Sequence, residues 1–279
     1  MKHLIPKLFL ILFFTGGLMG VYASAIEPFT LKITEYTVRT PKWTHDTPLK
    51  IALLSDPHVI WPSTTPEHVA RIVARANALK PDVILLLGDY VGTHPFGIQV
   101  KPEDGIAPLT KLSAPCGVYA VLGNHDLHKY PKGWPEAIRK SPIPVLENRA
   151  LPVKCKDLSF WVAGLAERWT QHADIPETLA QVTDTNPVIL MTHNPDPFAD
   201  SPDSVALMVA GHTHGGQIVL PFFGMVPAVV PSQYGLRYAY GHVTEGEKDL
   251  VVTSGLGMTG LPLRLLRPPE IALVTLERE

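Results

Sequence analysis

Cysteine is scarce in this chain of 279 residues, with Cys116 and Cys155 the whole supply. Two are too few for a disulfide scaffold or a cysteine-built zinc site, though enough for one bridge in an oxidising compartment. Charge is scarce as well: charged residues make up 18% of the sequence, and 24 Lys plus Arg stand against 26 Asp plus Glu. With no basic excess to attract a polyanion, nucleic acid is not an expected partner. No repeat of roughly 20–50 residues runs through the chain, so a solenoid or propeller is not expected either. What is plentiful is apolar residue, at 46%, together with 28 Pro and 12 His. The first supports a folded globule, the second sharply defined loops, and the histidines fall at positions that carry chemistry. At about 150 residues per domain the length admits one or two domains.

Lys2 and Lys7 precede an uncharged run of 19 residues from Leu8 to Ile26, and Ala23-Ser24-Ala25 supplies the small residues of an export cleavage site. As a helix the run would extend about 28 Å, close to a hydrocarbon core of roughly 30 Å. Residues 1–25 are therefore expected to be a signal peptide or an N-terminal membrane anchor, with 26–279 as the working domain. Either way the working part is placed on the periplasmic or extracytoplasmic face of the cell membrane.

Beyond it, Phe29 to Ile33 alternates like a strand with one buried face. Short apolar runs then recur between turn residues: Ile51 to Leu54, Val83 to Leu87, Val118 to Leu122, Val188 to Met191 and Val205 to Ala210. Pro66 to Leu79 places Val69, Ile72, Val73 and Ala76 at helical spacing behind a proline, which predicts an amphipathic helix. Weaker helical patterns cover about 104–112, 134–140 and 175–183, while 143–164 and 250–276 read as strand-rich. This order predicts an α/β protein with mixed sheets and no linker marking a second domain.

Each of the five apolar runs ends in residues that can bind a metal or move a proton. They are Asp56-Pro57-His58, Gly88-Asp89, Gly123-Asn124-His125-Asp126, His193-Asn194 and Gly211-His212-Thr213-His214. Open α/β sheets gather ligand sites beyond the carboxyl ends of their strands, so five distant segments can meet in one pocket. Asp56/His58 and His212/His214 are i, i+2 pairs, which in extended backbone point to one side. Asp56, His58, Asp89, Asn124, His193, His212 and His214 make seven candidate ligands, too many for one tetrahedral ion. With Asp89 shared between two ions, each receives four protein ligands and leaves room for a water, the arrangement used in two-metal phosphoester hydrolysis. Nitrogen and oxygen ligation without thiolate suits manganese, iron or zinc.

The five blocks, in this order, resemble the calcineurin-like metallophosphoesterase family, whose pattern is D-x-H, G-D, G-N-H-D, H and G-H-x-H. The similarity extends over most of residues 48–276 and includes Gly215-Gly216-Gln217 and Pro268-Pro269-Glu270-Ile271. It is nearest to the exported or membrane-anchored bacterial phosphohydrolases of that family. The resemblance implies a four-layer α/β/β/α sandwich of two mixed sheets flanked by helices, with a dinuclear metal centre. One ion would take Asp56, His58, Asp89 and His214, and the other Asp89, Asn124, His193 and His212. It implies metal-generated hydroxide attacking phosphorus and makes His125 the non-ligand catalytic histidine that protonates the leaving group. Asp126 is expected to hold the imidazole and raise its pKa. Two departures from the pattern stand out: Pro57 replaces a bulky apolar residue, and Gly92 stands where many relatives carry a further Asp. Amidohydrolases place H-x-H on the first strand and metallo-β-lactamases use H-x-H-x-D-H, so neither order fits.

A phosphodiesterase is the activity expected, with a UDP-diacylglucosamine-type pyrophosphohydrolase or a broad phosphomonoesterase as alternatives, and an inactive adaptor on the same fold as the non-enzyme alternative. The apolar, Pro-rich segment Leu220 to Pro231 beside the last ligand block could receive a lipid tail or touch a membrane, or simply pack on the domain. A lipid-linked substrate is one expectation that follows. Arg237, Arg264 and Arg267 could meet a phosphate, although pairing with an acid is the commoner fate of such arginines.

Overall fold

In the computed structural model, residues 4–127, 132–169 and 172–279 are described; Lys2 of the expected N-terminal signal lies outside them. The apolar runs 51–54, 83–86, 188–191 and 207–210, buried on both faces, become the interior members of a larger set of strands. In chain order they are β1 (Lys32–Arg39), β2 (Leu49–Leu54), β3 (Val83–Leu86), β4 (Val118–Ala120), β5 (Arg149–Cys155), β6 (Leu158–Gly164), β7 (Val188–Met191) and β8 (Leu207–Ala210). A small hairpin of β9 (Val219–Leu220) and β10 (Gly224–Met225) follows, then β11 (Gly241–Glu245), β12 (Lys248–Val252) and β13 (Glu270–Glu277). The first large sheet runs β1-β13-β2-β3-β4 and the second β11-β12-β8-β7-β6-β5. Both are mixed: β2, β3 and β4 are mutually parallel, as are β6, β7, β8 and β12, while β13 against β2, β5 against β6 and β11 against β12 are antiparallel.

The alternation of side chains along a strand separates the layers. Ile51, Leu53, Val83 and Leu85 from the first sheet share one buried cluster with Phe160, Val162, Ile189 and Val209 from the second, so the sheets stack face to face. The intervening residues Ala52, Leu54, Ile84 and Leu86 face the other way, onto Val69, Ile72, Val73 and Ala76 and onto Trp134 and Ile138. Those residues belong to α2 (Pro66–Ala78), once α1 (Leu4–Val21) is counted, and to α4 (Trp134–Arg139), which follows the short α3 (Pro102–Ile106). On the far side of the second sheet, Leu190, Met208 and Ala210 pack with Phe198, Tyr238 and Ile175, the first residue of α5 (Ile175–Leu179). The expected sandwich of two mixed sheets flanked by helices is what the chain builds. Helix α2 starts where Thr65 Oγ1 accepts the His68 N–H at 3.3 Å and Pro66 occupies the first turn, a position that needs no N–H.

Several boundaries differ from the sequence expectation. Phe29 closes a 3₁₀ turn over Glu27–Phe29, so β1 begins at Lys32. The stretch 250–276 is interrupted, because three glycines (255, 257 and 260) and three prolines (262, 268 and 269) turn residues 253–269 into a loop between β12 and β13. Cys116 and Cys155 are joined by a disulfide. It links the entry to β4 in the first sheet with the end of β5 in the second. Helix α1 stands clear of the sandwich with residues 13–22 exposed, and no helix among the described residues is long and apolar enough to cross a membrane.

Candidate metal centre

All five motifs lie just past the carboxyl ends of parallel strands: Asp56 and His58 after β2, Asp89 after β3, Asn124 and His125 after β4, His193 after β7, and His212 and His214 after β8. The two sheets thus contribute to one site at the same end of the sandwich. Asp56, His58, Asp89, His212 and His214 all have positive φ, between 43° and 70°. Left-handed backbone is costly for residues other than glycine and is retained where surrounding structure enforces it. The i, i+2 pairs therefore converge through tight turns and not, as the sequence suggested, through extended backbone. Glycine is required beside them. A Cβ on Gly123 would stand 2.1 Å from Asp89 Oδ1, and one on Gly211 would stand 1.9 Å from Ser55 Oγ.

The seven expected ligands are all buried and all face one another. Asp56, His58 and His214 form one group, and Asp89, His193 and His212 another, each with ligand atoms within 4.8 Å of one another. In the first, His58 Nε2 lies 3.1 Å from His214 Nε2, and Asp56 Oδ1 lies 3.4 Å from His214 Nε2. In the second, His193 Nε2 is 3.0 Å from His212 Nδ1 and 3.1 Å from Asn124 Oδ1. Asp89 Oδ2 sits between the groups, 3.6 Å from His58 Nε2 and 3.3 Å from His193 Nε2. His125 with His58 and Asp89 makes a third such group.

The donor set suits cations. His58 Nδ1 is 2.9 Å from the Val91 carbonyl and His193 Nδ1 is 2.7 Å from the Leu87 carbonyl. Each ring accordingly donates through Nδ1, which leaves the lone pair of Nε2 directed into the site. A neutral His193 would set Nε2 against Asn124 Oδ1 as acceptor against acceptor, a clash that a proton or a cation between them removes. Asp56 Oδ1 is buried with no hydrogen-bond partner, while its Oδ2 accepts the His212 N–H at 3.0 Å. An unpaired buried carboxylate oxygen is expensive, and a cation between these acceptors removes the cost.

Electrostatics agree. Burial pushes His58 and His212 down to about 3 and His214 well below the usual imidazole value, so all three offer neutral nitrogen at neutral pH. Burial also pushes the Asp56 carboxyl up to about 6. Burial alone would raise Asp89 too, but His193, His125 and His58 outweigh it and hold the carboxyl well below its ordinary range. The same attraction from Asp89 raises His193 to about 10 against the pull of burial.

Around His125 the arrangement departs from expectation. Asp126 does not hold the imidazole, because both its oxygens are engaged by backbone. Oδ1 accepts from Tyr90 and Val91 at 2.7 and 3.2 Å, and Oδ2 from Asp89 and Gly123 at 2.9 Å each. Its work is to tie the β3 and β4 loops together and thereby fix Asp89. The His125 ring meets Thr93 Oγ1 instead, at 2.8 Å from Nδ1, with Nε2 4.0 Å from Asp89 Oδ2 and 3.5 Å from Thr259 Oγ1. Thr93 follows directly after Gly92, and its neutral hydroxyl does the orienting.

Residues 49–216 match the sequence profile of the calcineurin-like phosphoesterases. An uncharacterised metallophosphoesterase of Bacillus subtilis, YkuE, is 36% identical over 270 residues, covering 94% of this chain and 91% of its own. This chain belongs to the calcineurin-like metallophosphoesterase family. As a family member it is a phosphoric ester hydrolase. The Escherichia coli phosphodiesterase YaeI is also similar, at 30% identity over 241 residues and 82% of each chain. Among solved structures, the Thermus thermophilus sulfate thiohydrolase SoxB matches with a TM-score of 0.50 at 12% identity, over 82% of this chain and 56% of its own length, a likeness of fold alone.

This metallophosphoesterase presents its site at the bottom of a cavity of about 420 Å³. Asp89, Asn124, His125, His212 and His214 form the floor, and Trp169, Ile218, Val229, Pro231 and Leu261 contribute apolar wall. Trp169 stands edge to face with His212, ring centres 4.6 Å apart, and sequence reasoning did not single it out. Thr93 was missed too; the only signal was its place beside Gly92. None of the three arginines considered as phosphate binders lines the cavity, although Arg264 meets one floor residue from behind, with Nη2 3.4 Å from His214 Nδ1. Arg264 is fully buried and donates to the carbonyls of Ser254, Gly255, Gly257 and Arg267. Arg237 pairs with Glu245 at 2.6 Å, and Arg267 lies 3.8 Å over the Tyr240 ring.

Proposed function

We propose that this chain is an exported phosphodiesterase that works with a dinuclear metal centre. Two ligand groups meeting at Asp89 Oδ2 carry the reading: Asp56, His58 and His214 on one side, and Asn124, His193 and His212 on the other. Ions held by these residues would supply Lewis acidity toward the phosphoryl oxygens and an activated water as nucleophile. Manganese, iron or zinc fits this set of nitrogen and oxygen donors.

The protein's own groups do the rest. Asp89 holds both halves of the site in register, since its Oδ1 accepts the His125 N–H at 2.8 Å while Oδ2 faces the histidines. His125, a fifth exposed at the side chain and oriented by Thr93, delivers a proton to the departing alkoxide oxygen through Nε2. The name of the relative YaeI favours a diester over a monoester. Export is supported by the uncharged run from Leu8 to Ile26 and by the Cys116–Cys155 disulfide, which belongs in an oxidising compartment.

The test is elemental analysis joined to activity profiling. Purified protein reconstituted with manganese, iron or zinc should hold two ions per chain and hydrolyse nitrophenyl phosphodiesters faster than monoesters. A stoichiometry at or below one overturns the dinuclear centre, and a preference for monoesters overturns the diester assignment. A reporter fused after Glu279 that works only in the cytoplasm, if active, overturns export.

A further inference from the structure

The rim of the metal cavity and the N-terminal helix are built as one apolar body. The loop after the ligands, residues 218–231, contains no charged residue, nor does 258–263 across the cavity. At the tip of the β9–β10 hairpin, Phe222 is 105% and Phe223 85% exposed, and Phe222 sits at φ 68°. Left-handed backbone is unfavourable for a bulky side chain, and a ring held wholly in solvent gives the fold no packing in return. Val229, Leu261 and Leu266 are also more than half exposed.

Helix α1 joins this surface through its base. The carbonyl of Ala23 accepts the Arg264 N–H at 2.8 Å, and the buried Glu27 carboxylate accepts from the backbone of Leu266 and Arg267. Leu265, between them, pairs with Gln217 and Val219 at the foot of the hairpin. The Arg264 guanidinium in turn holds the Gly255 and Gly257 carbonyls, and the Gly257 N–H bonds the Asp56 carbonyl at 2.7 Å. Helix, hairpin and ligand loop are thus fixed relative to one another.

From this continuity we infer that the cavity rim and α1 together form a lipid-docking surface, and that the substrate is an amphiphilic phosphoester presented from a bilayer. The inference rests on the phosphodiesterase reading for its chemistry. The occupant is identified by α1 itself: Phe13, Phe14, Leu18 and Val21 are all exposed, and beyond Lys7 the helix carries no charged residue on any face. A helix docking into a protein groove keeps a polar face for water, whereas one without such a face needs an apolar solvent on every side. The same docking retains the N-terminus. Cleavage after Ala25 would remove Ala23 and leave Glu27 next to a new, charged chain end at Ile26.

Two measurements on the full chain test this. With an environment-sensitive fluorophore on Phe222→Cys, vesicles of phosphatidylcholine and phosphatidylglycerol should shift emission to the blue. The same label on Asp203→Cys, ahead of β8 at the opposite end of the sheet, should not respond. The paired change Phe222→Ser, Phe223→Ser should lower turnover of a long-chain nitrophenyl phosphodiester in vesicles by about tenfold, with soluble bis-nitrophenyl phosphate turned over as before. A label at 222 that stays in water, an equal effect on both substrates, or a dimer that the serine changes dissociate would each overturn the lipid surface. Turnover of neither substrate by the unchanged protein would instead overturn the phosphodiesterase reading, and the fluorescence result, needing no turnover, would stand by itself.

Discussion

The two ends of the parallel strands use similar backbone for opposite purposes. At the carboxyl ends, left-handed residues are Asp56, His58, Asp89, His212 and His214, and the buried Asp56 Oδ1 and His212 Nε2 have no hydrogen-bond partner. At the amino ends, left-handed Lys80 and Lys156 lie in ordinary turns. There the Lys156 ammonium reaches Asp82 at 2.5 Å, Asp82 accepts the Lys50 N–H, and the Cys116–Cys155 disulfide joins the sheets. One end lowers stability to hold ligands in place, and the other contributes stability through an ion pair and a disulfide. Strained, partly unsatisfied residues are expected where chemistry happens, with compensation elsewhere.

The sharpest way to break this contrast is Asp89→Asn. An amide keeps the size but loses the charge that both ligand groups share, so elemental analysis should show both ions lost and turnover at background. The metal-free protein should also unfold at a lower temperature at neutral pH, because the fold holds the Asp89 carboxyl in its charged form and the amide leaves His193 without that counter-charge. His58→Ala should damage mainly the Asp56–His214 side. If Asp89→Asn keeps one ion at full occupancy, the two groups do not share this residue.

Much of this end was legible in the sequence because its residues follow closely on apolar runs: a strand with a ligand two to four residues past its end cannot point that ligand anywhere but the strand's carboxyl edge. Residue parity in β2 and β3 and the helical stripe of α2 were equally local. What escaped was long-range. Thr93 and His125 are 32 positions apart and meet only because the β3 and β4 loops are tied by Asp126, whose expected task was catalytic. The left-handed turns, the burial of Arg264 and the start of β1 beyond the Glu27–Phe29 turn depend likewise on tertiary neighbours.

His125→Ala comes next in size. Turnover of an alkyl phosphodiester should fall roughly 10²–10⁴-fold, the range of a positioned general acid. A nitrophenyl diester, whose oxyanion leaves without help, should suffer far less, and both ions should remain. Loss of metal would make His125 a ligand, an outcome its place beside His58 and Asp89 makes worth measuring.

Thr93→Val should act through His125 and act less. It removes one hydrogen bond of about 1 kcal/mol, or roughly fivefold in rate, and again more for alkyl than for nitrophenyl leaving groups. Thr93→Ser retains the hydroxyl and should restore the rate. Equal losses for both kinds of leaving group would show a general loosening of the site and remove Thr93 from the orientation of the imidazole.

The opposite end should show the smallest effect on turnover and a large one on stability. Cys116 and Cys155 are separated by 39 positions, and closing a loop of that length restricts the unfolded chain by an amount worth about 4 kcal/mol. The bridge lies at the entry to β4 and the end of β5, away from every ligand loop. Cys116→Ser with Cys155→Ser should therefore lower the denaturant midpoint without changing metal content, turnover or the ratio between alkyl and nitrophenyl substrates. If the serine pair instead releases metal under conditions where the chain remains folded, the amino end is not a passive support. The sheets would then transmit their separation to the ligand loops, and the contrast between the two ends would fail.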